Sequence, residues 1–529
     1  MLILQNISYI HPNKDFLFDN INLNIHKQNK TALIGNNGAG KSTLLKIIAG
    51  ILQPSGGTVN TATRPYYIPQ LFGQFNDYSI GRALRVEDQL NALTEILDGK
   101  ANETNLLLLD DDWTIEERCK EALAHWELSG LDLTQKMETL SGGQKTKIFL
   151  AGISIHQPEI ILMDEPSNHL DTQSRGILYD FIQTTSSSLV VVSHDRKLLN
   201  MLDPVYELSK RGINVYGGNY SFYTEQKMIE SNALIQGIKS KEKALRKAKE
   251  VERDASEKQQ KLDARGKKKQ EKAGLPTISM KTFKNNAEKS TARLKDVHSE
   301  KTGNISQELS QLRKETPEMD RMKFCFDNSA LHRGKILVTA QNLNFSYEQK
   351  QLWEQPLNFL IASGERIAIK GHNGSGKTTL IKIILGEIKP QYGSIHKAVT
   401  NSVYIDQDYS LIDNNLSVYE QAQKFNSTAF LEHEIKIRLS RFLFSIDYWD
   451  KPCKALSGGE KMRLMLCCLT IINQAPDIII FDEPTNNLDI QNIEILTAAT
   501  NDYQGTLLVI SHDEYFLEQI NVKQTIELK

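Results

Sequence analysis

Gly35-Asn36-Asn37-Gly38-Ala39-Gly40-Lys41-Ser42 recurs 336 residues later as Gly371-His372-Asn373-Gly374-Ser375-Gly376-Lys377-Thr378. Each copy follows a strand-like run, Thr31–Ile34 or Arg366–Ile369. Each precedes an apolar helical pattern, Leu44-Leu45-x-Ile47-Ile48 or Leu380-Ile381-x-Ile383-Ile384. Strand, glycine-rich loop, then helix is the context that a phosphate-binding loop (P-loop) requires. The glycines let successive backbone N–H groups turn onto phosphate oxygens, and the helix N-terminus adds its dipole. Lys41 and Lys377 are then placed to reach β- and γ-phosphates, and Ser42 and Thr378 to ligate Mg²⁺.

Working outward, three more motifs recur in the same order. Leu140-Ser141-Gly142-Gly143-Gln144 returns as Leu456-Ser457-Gly458-Gly459-Glu460 at an offset of 316. Met163-Asp-Glu-Pro-Ser-Asn-His-Leu-Asp171 returns as Phe481-Asp-Glu-Pro-Thr-Asn-Asn-Leu-Asp489, and Ser193-His-Asp195 as Ser511-His-Asp513, both at 318. The chain is therefore a duplicated α/β module. Ile160–Met163 and Ile478–Phe481 read as buried parallel strands, and each ends in Asp-Glu. Carboxylates at the C-terminal end of such strands sit beside the phosphate loop of an open α/β sheet. Asp164 and Asp482 would hold Mg²⁺, and Glu165 and Glu483 would polarise an attacking water.

The offsets also locate differences between the copies. Gln70 and Gln407, each closing an alternating β-like run, are 337 apart, so the first module carries about 21 extra residues before its Leu-Ser-Gly-Gly motif. Turn-rich Asp98–Thr104 and Asp110–Asp112 are where that excess is expected. Between the modules the composition changes. From Ser221 to Met322 the sequence is rich in Lys, Glu, Ala and Gln, with no Pro before Pro276. Ile238, Leu245, Ala248, Ala255 and Leu262 form a sparse seam in one run, and Ala287, Leu294, Ile305, Leu309 and Leu312 in another. These predict a projecting antiparallel helical hairpin with arms of ~50–65 Å and a tip near Gly266–Lys284.

Charge singles out the same segment. The whole chain has a net charge of −2, but Lys239–Lys301 contains 20 Lys and Arg against 10 Asp and Glu. A 63-residue stretch at +10 is thus set in a remainder at −12. Arg265-Gly-Lys-Lys-Lys-Gln-Glu-Lys272, at the expected tip, suits a structured RNA surface, where shape and phosphate contacts dominate recognition.

The 529 residues, 40% apolar and 24% charged, suit a soluble chain of several domains. No run approaches the ~18 apolar residues of a membrane span, and the first residues lack the features of a secretory signal. Cys119, Cys325, Cys453, Cys467 and Cys468 have no metal-ligand spacing; an odd, scattered set points to reduced cytoplasmic thiols and away from zinc or iron–sulfur chemistry.

The Leu-Ser-Gly-Gly-[Gln/Glu] motif, with the phosphate loops and Asp-Glu strand ends, resembles the signature of ATP-binding cassette ATPases. That resemblance implies two cassettes closing head to tail over two ATP molecules. Lys41 would then share a site with Ser457 and Gly459, and Lys377 with Ser141 and Gly143. His194 and His512 match the family's switch histidine, which senses the γ-phosphate. Gln70 and Gln407 match its Q-loop and would join the metal ligands, and Tyr9 and Tyr347 match the aromatic that stacks on adenine. Two cassettes in one chain joined by about a hundred charged helical residues resemble the ABC-F family specifically. Glu165–Asp171, Glu483–Asp489 and Tyr216-Gly-Gly-Asn-Tyr-Ser-Phe-Tyr223 carry that likeness, with Ser167 and Asn487 as mild departures.

The expected architecture is α/β: cassettes at 1–220 and 323–529 joined by a helical hairpin at 221–322. The resemblance implies a cytoplasmic, Mg²⁺-dependent ATPase that binds the ribosome near the tRNA exit site through the hairpin, meeting rRNA and tRNA. Such proteins either assist translation or protect ribosomes from antibiotics, and none needs to oligomerise. An ATPase subunit of a membrane transporter is the alternative, since it shares every nucleotide motif. A DNA-repair or chromosome-structural ATPase would break the cassette between loop and signature, or carry zinc cysteines; neither feature is present. A scaffold with dead sites would not need Lys41, Glu165, Lys377 and Glu483.

Overall fold

The computed structural model describes residues 1–272, 299–313 and 332–528, except Asn13, Leu71, Lys210, Arg211, Arg333, Glu348, Gln349, Asn373, Val399, Thr400, Thr428, Ala429, Asn473 and Asn487. Of residues 263, 264 and 266–272 the backbone alone is described. The chain divides into two compact units, Met1–Tyr223 with Met322–Lys529, and Thr224–Arg321.

The first unit contains both modules. In the N-terminal one, strands Tyr66–Ile68, Ile160–Asp164, Ser188–Val192, Lys30–Ile34 and Val205–Ser209 lie side by side in parallel, with Gly212–Tyr216 antiparallel at the edge. In the C-terminal one the parallel order is Ser402–Ile405, Ile478–Asp482, Thr506–Ile510, Arg366–Gly371, Gln524–Leu528. Both faces of these sheets are covered, so their central strands are apolar almost throughout. One face meets helices around Ile148, Phe149 and Leu178, or Leu464, Leu466 and Leu496. The other meets the helix after the phosphate loop and a three-stranded antiparallel sheet, through Leu4, Phe18 and Leu44, or Leu343, Trp353 and Leu380. The sheet order seats the loop-bearing strand beside the one whose end carries Ser-His-Asp, and that strand beside the one ending in Asp-Glu. That convergence of strand ends makes the site.

The extra residues of the first module are helical. The turns fall at Asp98–Gly99 and Asp110–Asp111, with left-handed φ at Gly99, Asp110 and Asp111. Between them Glu103–Leu109 forms a helix beside Glu87–Leu97, tied by Asn105 Nδ2 donating to Glu95 Oε2 (2.8 Å). Sequence pattern did not reveal it because Leu106, Leu107 and Leu108 are all exposed, which erases any amphipathic period.

In the second unit the linker helix spans Tyr220–Lys272, 53 residues or about 80 Å at 1.5 Å per residue. This corrects the expected arm length; the helix runs through Gly266, because one glycine among Lys, Arg and Gln costs only ~1 kcal/mol relative to Ala, and it ends within the range expected for the tip. Residues 299–313 form a second helix alongside. Arg313 pairs with Glu242 (2.7 Å), and Lys241 with Glu308. Ile238, Leu245, Ala248 and Ala255 are half-buried and Leu309 is buried, whereas Leu262 is exposed and leaves the seam. Ala287, Leu294 and the turn itself lie outside the described residues.

Candidate active site

Each phosphate loop enters its helix through a left-handed glycine, Gly40 (φ 96°) or Gly376 (φ 86°). A Cβ on Gly40 would come within 2.8 Å of Leu17 and Phe18, so no other residue fits there. Lys41 Nζ donates to the carbonyls of Gly35 (2.6 Å) and Asn36 (3.3 Å); Lys377 Nζ does the same to Gly371 (2.8 Å) and His372 (3.3 Å). Both ammonium groups are therefore folded over their own loops. Burial pulls both below the usual lysine range, against the opposing charges of Glu165, Asp489 and Asp164, or of Glu483, Asp482 and Asp171.

At the strand ends Asp164 accepts from Tyr67 (3.2 Å) and Asp482 from Tyr404 (2.8 Å). Glu165 and Glu483 occupy the left-handed region, φ 53° and 48°, a conformation costing of order 1–3 kcal/mol for a residue with a side chain. Cross-strand bonds hold them there: their N–H groups donate to Val192 O (2.8 Å) and Ile510 O (2.9 Å). The turn aims each carboxyl at the histidine of the Ser-His-Asp motif. His194 Nε2 lies 3.1 Å from Glu165 Oε1, and His512 Nε2 lies 3.5 Å from Glu483 Oε1. Burial is the main cause pushing Glu165 up to about 8 and Glu483 up to about 7. It also holds His194 well below its ordinary value and brings His512 down to about 4, so both rings are neutral near pH 7.

Two cavities follow, each lined from both modules. The first, about 420 Å³, is lined by Lys41, Ser42, Gln70, Asp164, Glu165 and His194 from one module and Ser457 from the other. The second, about 220 Å³, brings Ser141 and Gly143 against Gln407, Glu483 and His512. Lys377 reaches it through His512, Nζ to Nε2 at 3.4 Å. Ser141 and Ser457 each cap the helix they open, accepting from the N–H of Gln144 or Glu460 at 3.3 Å. A hydroxyl that accepts in this way keeps its own proton for another acceptor.

Other expected residues fall differently. Tyr9 is a neighbour of the first cavity; its ring packs edge-on against His11, and His11 and Leu17 are what line the space. Tyr347 is 53% exposed, with its hydroxyl 3.2 Å from Thr379 Oγ1 beside Thr378. Asn373 and Asn487 lie outside the described residues. Motif spacing had not singled out the segments after the Asp-Glu motifs, which cross between modules. Asp489 accepts from Asn37 N–H (2.9 Å), Thr172 Oγ1 meets His512 Nδ1 (3.2 Å), and Arg196 pairs with Glu494 (3.1 Å). The aspartate ending each copy of the motif was the available signal.

The donors suit a hard divalent cation bound together with phosphate. Asp164 Oδ1 is buried with no hydrogen-bond partner, beside the Ser42 hydroxyl and the Gln70 amide. Among the described residues no three His, Cys, Asp or Glu gather as in a protein-only metal cage. Cys119, Cys453, Cys467 and Cys468 are buried and unpaired; Cys325 lies outside the described residues. Among the described residues no helix is long and apolar enough to cross a membrane.

The ABC transporter family model matches residues 18–168 and 355–486, one span in each module. The putative ATP-binding protein YdiF of Bacillus subtilis is 30% identical over 96% of this chain and 77% of its own. ABC transporter F family member 2 of Arabidopsis thaliana is 29% identical over 99% of this chain and 76% of its own. Among solved structures, the archaeal ribosome recycling factor aABCE1, in complex with the ribosomal stalk protein aP1, aligns with a TM-score of 0.57. It is 19% identical over 99% of this chain and 87% of its own. Two phosphate loops, two strand-end Asp-Glu pairs and relatives matched nearly end to end make this chain a tandem ATP-binding cassette ATPase of the F type.

Proposed function

We propose that the two cavities are composite ATP sites and that ATP closes the cassettes around them. Lys41, or Lys377, would leave its loop carbonyls for β- and γ-phosphate oxygens, with N–H groups of Gly35–Ser42, or Gly371–Thr378, cradling the chain. Ser457 and Gly459, or Ser141 and Gly143, would complete each site from the opposite cassette. Charge-assisted bonds to phosphate contribute ~1.5–3 kcal/mol each, so a few per nucleotide hold the interface. Ser42, Gln70 and Asp164, or Thr378, Gln407 and Asp482, would hold Mg²⁺, which neutralises charge on the transferred phosphoryl group. Glu165 and Glu483 would take the proton of the attacking water, and raised carboxyls accept it more readily near neutral pH. His194 and His512, held neutral, would sense the γ-phosphate. The covalent linker makes closure intramolecular, at an effective concentration of order mM, so no second chain is needed.

The partner in this reading is the ribosome. The observation that carries it is the +10 segment Lys239–Lys301, a basic linker set in an otherwise acidic ATPase. The F-type relatives, and the likeness to aABCE1, a ribosome recycling factor seen with a ribosomal stalk protein, support it. The linker would contact rRNA and tRNA near the exit site, in the cytoplasm, and hydrolysis would time its release. Support of translation and protection from ribosome-targeting antibiotics are both served by such a clamp.

The test is co-sedimentation of the Glu165→Gln, Glu483→Gln double variant with ribosomes in ATP. It should pellet, and reversing Lys267, Lys268 and Lys269 to Glu should weaken binding and flatten its salt dependence by ~0.7–0.9 in log–log slope per lost phosphate contact. A variant that binds ATP but stays in the supernatant sinks the ribosome reading. Capture of membrane-complex subunits instead would favour the transporter alternative.

A further inference from the structure

The two composite sites share their cis residues but not their trans flank. Arg175, in the helix Thr172–Thr184 of the first cassette, has a side chain only 12% exposed. Its Nε donates to Leu170 O (3.1 Å), within its own segment. Its Nη1 crosses to the second cassette and donates to the backbone carbonyl of His512 (3.3 Å), and it lies 4.0 Å from Asp195 Oδ2. The guanidinium thereby lines the second cavity together with Ser141, Gly143, Gln407, Glu483 and His512. Thr172, one turn earlier, meets the imidazole of the same histidine.

The 318-residue offset places Ile493 and Ile490 where Arg175 and Thr172 stand. Ile493 is 3% exposed in the core of its own cassette, and Ile490 packs against the core of the first. Neither can offer a hydrogen bond to His194. The switch segment of one site is therefore gripped from the other cassette by an arginine and a threonine, while at the equivalent places opposite His194 stand isoleucines, and that helix reaches the segment instead through Glu494, which pairs with Arg196 (3.1 Å). A planar guanidinium spanning a carbonyl of its own segment and one of the partner segment fixes distance and direction between them, which an ammonium cannot reproduce with one nitrogen.

We propose that Arg175 is a trans-acting positioning residue of the nucleotide site containing Lys377, holding the Ser511–Asp513 switch segment against Glu483, and that among the described residues no arginine of the opposite cassette holds the His194 backbone in the site containing Lys41, where Glu494 meets Arg196 instead. This rests on the composite-site reading above. The two sites then differ in turnover rate more than in ATP affinity, because Arg175 acts through the histidine segment and not through the phosphate cradle.

The experiment measures ATP hydrolysis by the full chain in two backgrounds: Glu165→Gln, reporting the Lys377 site, and Glu483→Gln, reporting the Lys41 site. In the first, Arg175→Ile should lower kcat about ten- to hundred-fold, the scale of a misplaced catalytic group, with KM changed far less. Arg175→Lys should recover only part of the loss. In the second background the fall should be much smaller. Equal losses in both backgrounds, or a change confined to KM, would overturn the proposal, as would full recovery by lysine. Ser141→Arg in the Glu165→Gln background separates the two levels of inference. If it abolishes turnover while Arg175→Ile does not, the positioning role fails and the composite site stands. If Ser141→Arg has no effect, the composite reading itself fails.

Discussion

The two nucleotide sites are copies in their chemistry and unlike in their closure. Lysine, strand-end Asp-Glu and switch histidine recur with the same backbone geometry, down to the left-handed glutamate at φ 53° and 48°. The elements arriving from the opposite cassette have diverged. At the Lys41 site Glu494 of the opposite cassette pairs with Arg196 beside His194, and Glu460 completes the capping box of the signature helix. At the Lys377 site Thr172 and Arg175 grip His512, Gln144 completes the capping box of the signature helix, and the cavity is about half as large. Duplication preserved the loop, strand-end and histidine residues, while the residues that reach them from the opposite cassette drifted apart.

The largest expected effect tests the shared part. Glu165→Gln with Glu483→Gln should cut hydrolysis by about 10²–10⁴-fold with ATP binding nearly unchanged, as equilibrium nucleotide binding beside a phosphate-release assay will report. The single variants sharpen the contrast: they should retain different turnover, and equal residual rates would erase the distinction between sites.

A smaller effect is expected at the crossing aspartate. Asp489→Asn keeps a side chain able to cap the helix Ile490–Asp502 but removes the charge facing the Asn37 N–H. About 1 kcal/mol of charge assistance should be lost, raising several-fold the ATP concentration that half-closes the Lys41 site, read by nucleotide titration in the Glu483→Gln background. No shift would mean that the bond contributes nothing to closure.

The smallest effect is a pH signature. Both glutamates have raised pKa values, so each bound proton favours the folded, nucleotide-free protein. That contribution is complete below the ordinary glutamate value of 4.5 and is lost as pH rises, to about 7 for Glu483 and to about 8 for Glu165. Tm should therefore fall across this window. Glu165→Gln should flatten the decline between pH 7 and 8, and Glu483→Gln should not; the reverse pattern would show the two environments wrongly ordered.

What could be read from sequence was what is contiguous. The phosphate loops, Asp-Glu pairs and signatures are local motifs, and duplication doubled each signal. Gln70, His194 and Ser457 were paired with Lys41 only through resemblance, since a 416-residue separation between Lys41 and Ser457 leaves no local trace. Arg175 was invisible for the same reason: its partner His512 lies 337 residues away. Glu103–Leu109 lacked an amphipathic stripe because three of its four leucines, Leu106, Leu107 and Leu108, face solvent. Tyr9 packs edge-on against His11, which lines the cavity and which no motif marks.

The central claim is that each ATP is held by both cassettes. Its most direct test is nucleotide stoichiometry and photolabelling with an azido-ATP in the hydrolysis-deficient Glu165→Gln, Glu483→Gln protein, with and without Ser457→Arg. The account predicts two retained nucleotides without the arginine and one with it, the surviving label mapping to peptides around Lys377 in the same cassette that carries the substitution. Retention of both nucleotides, or loss of the label near Lys377 while that near Lys41 persists, would contradict it.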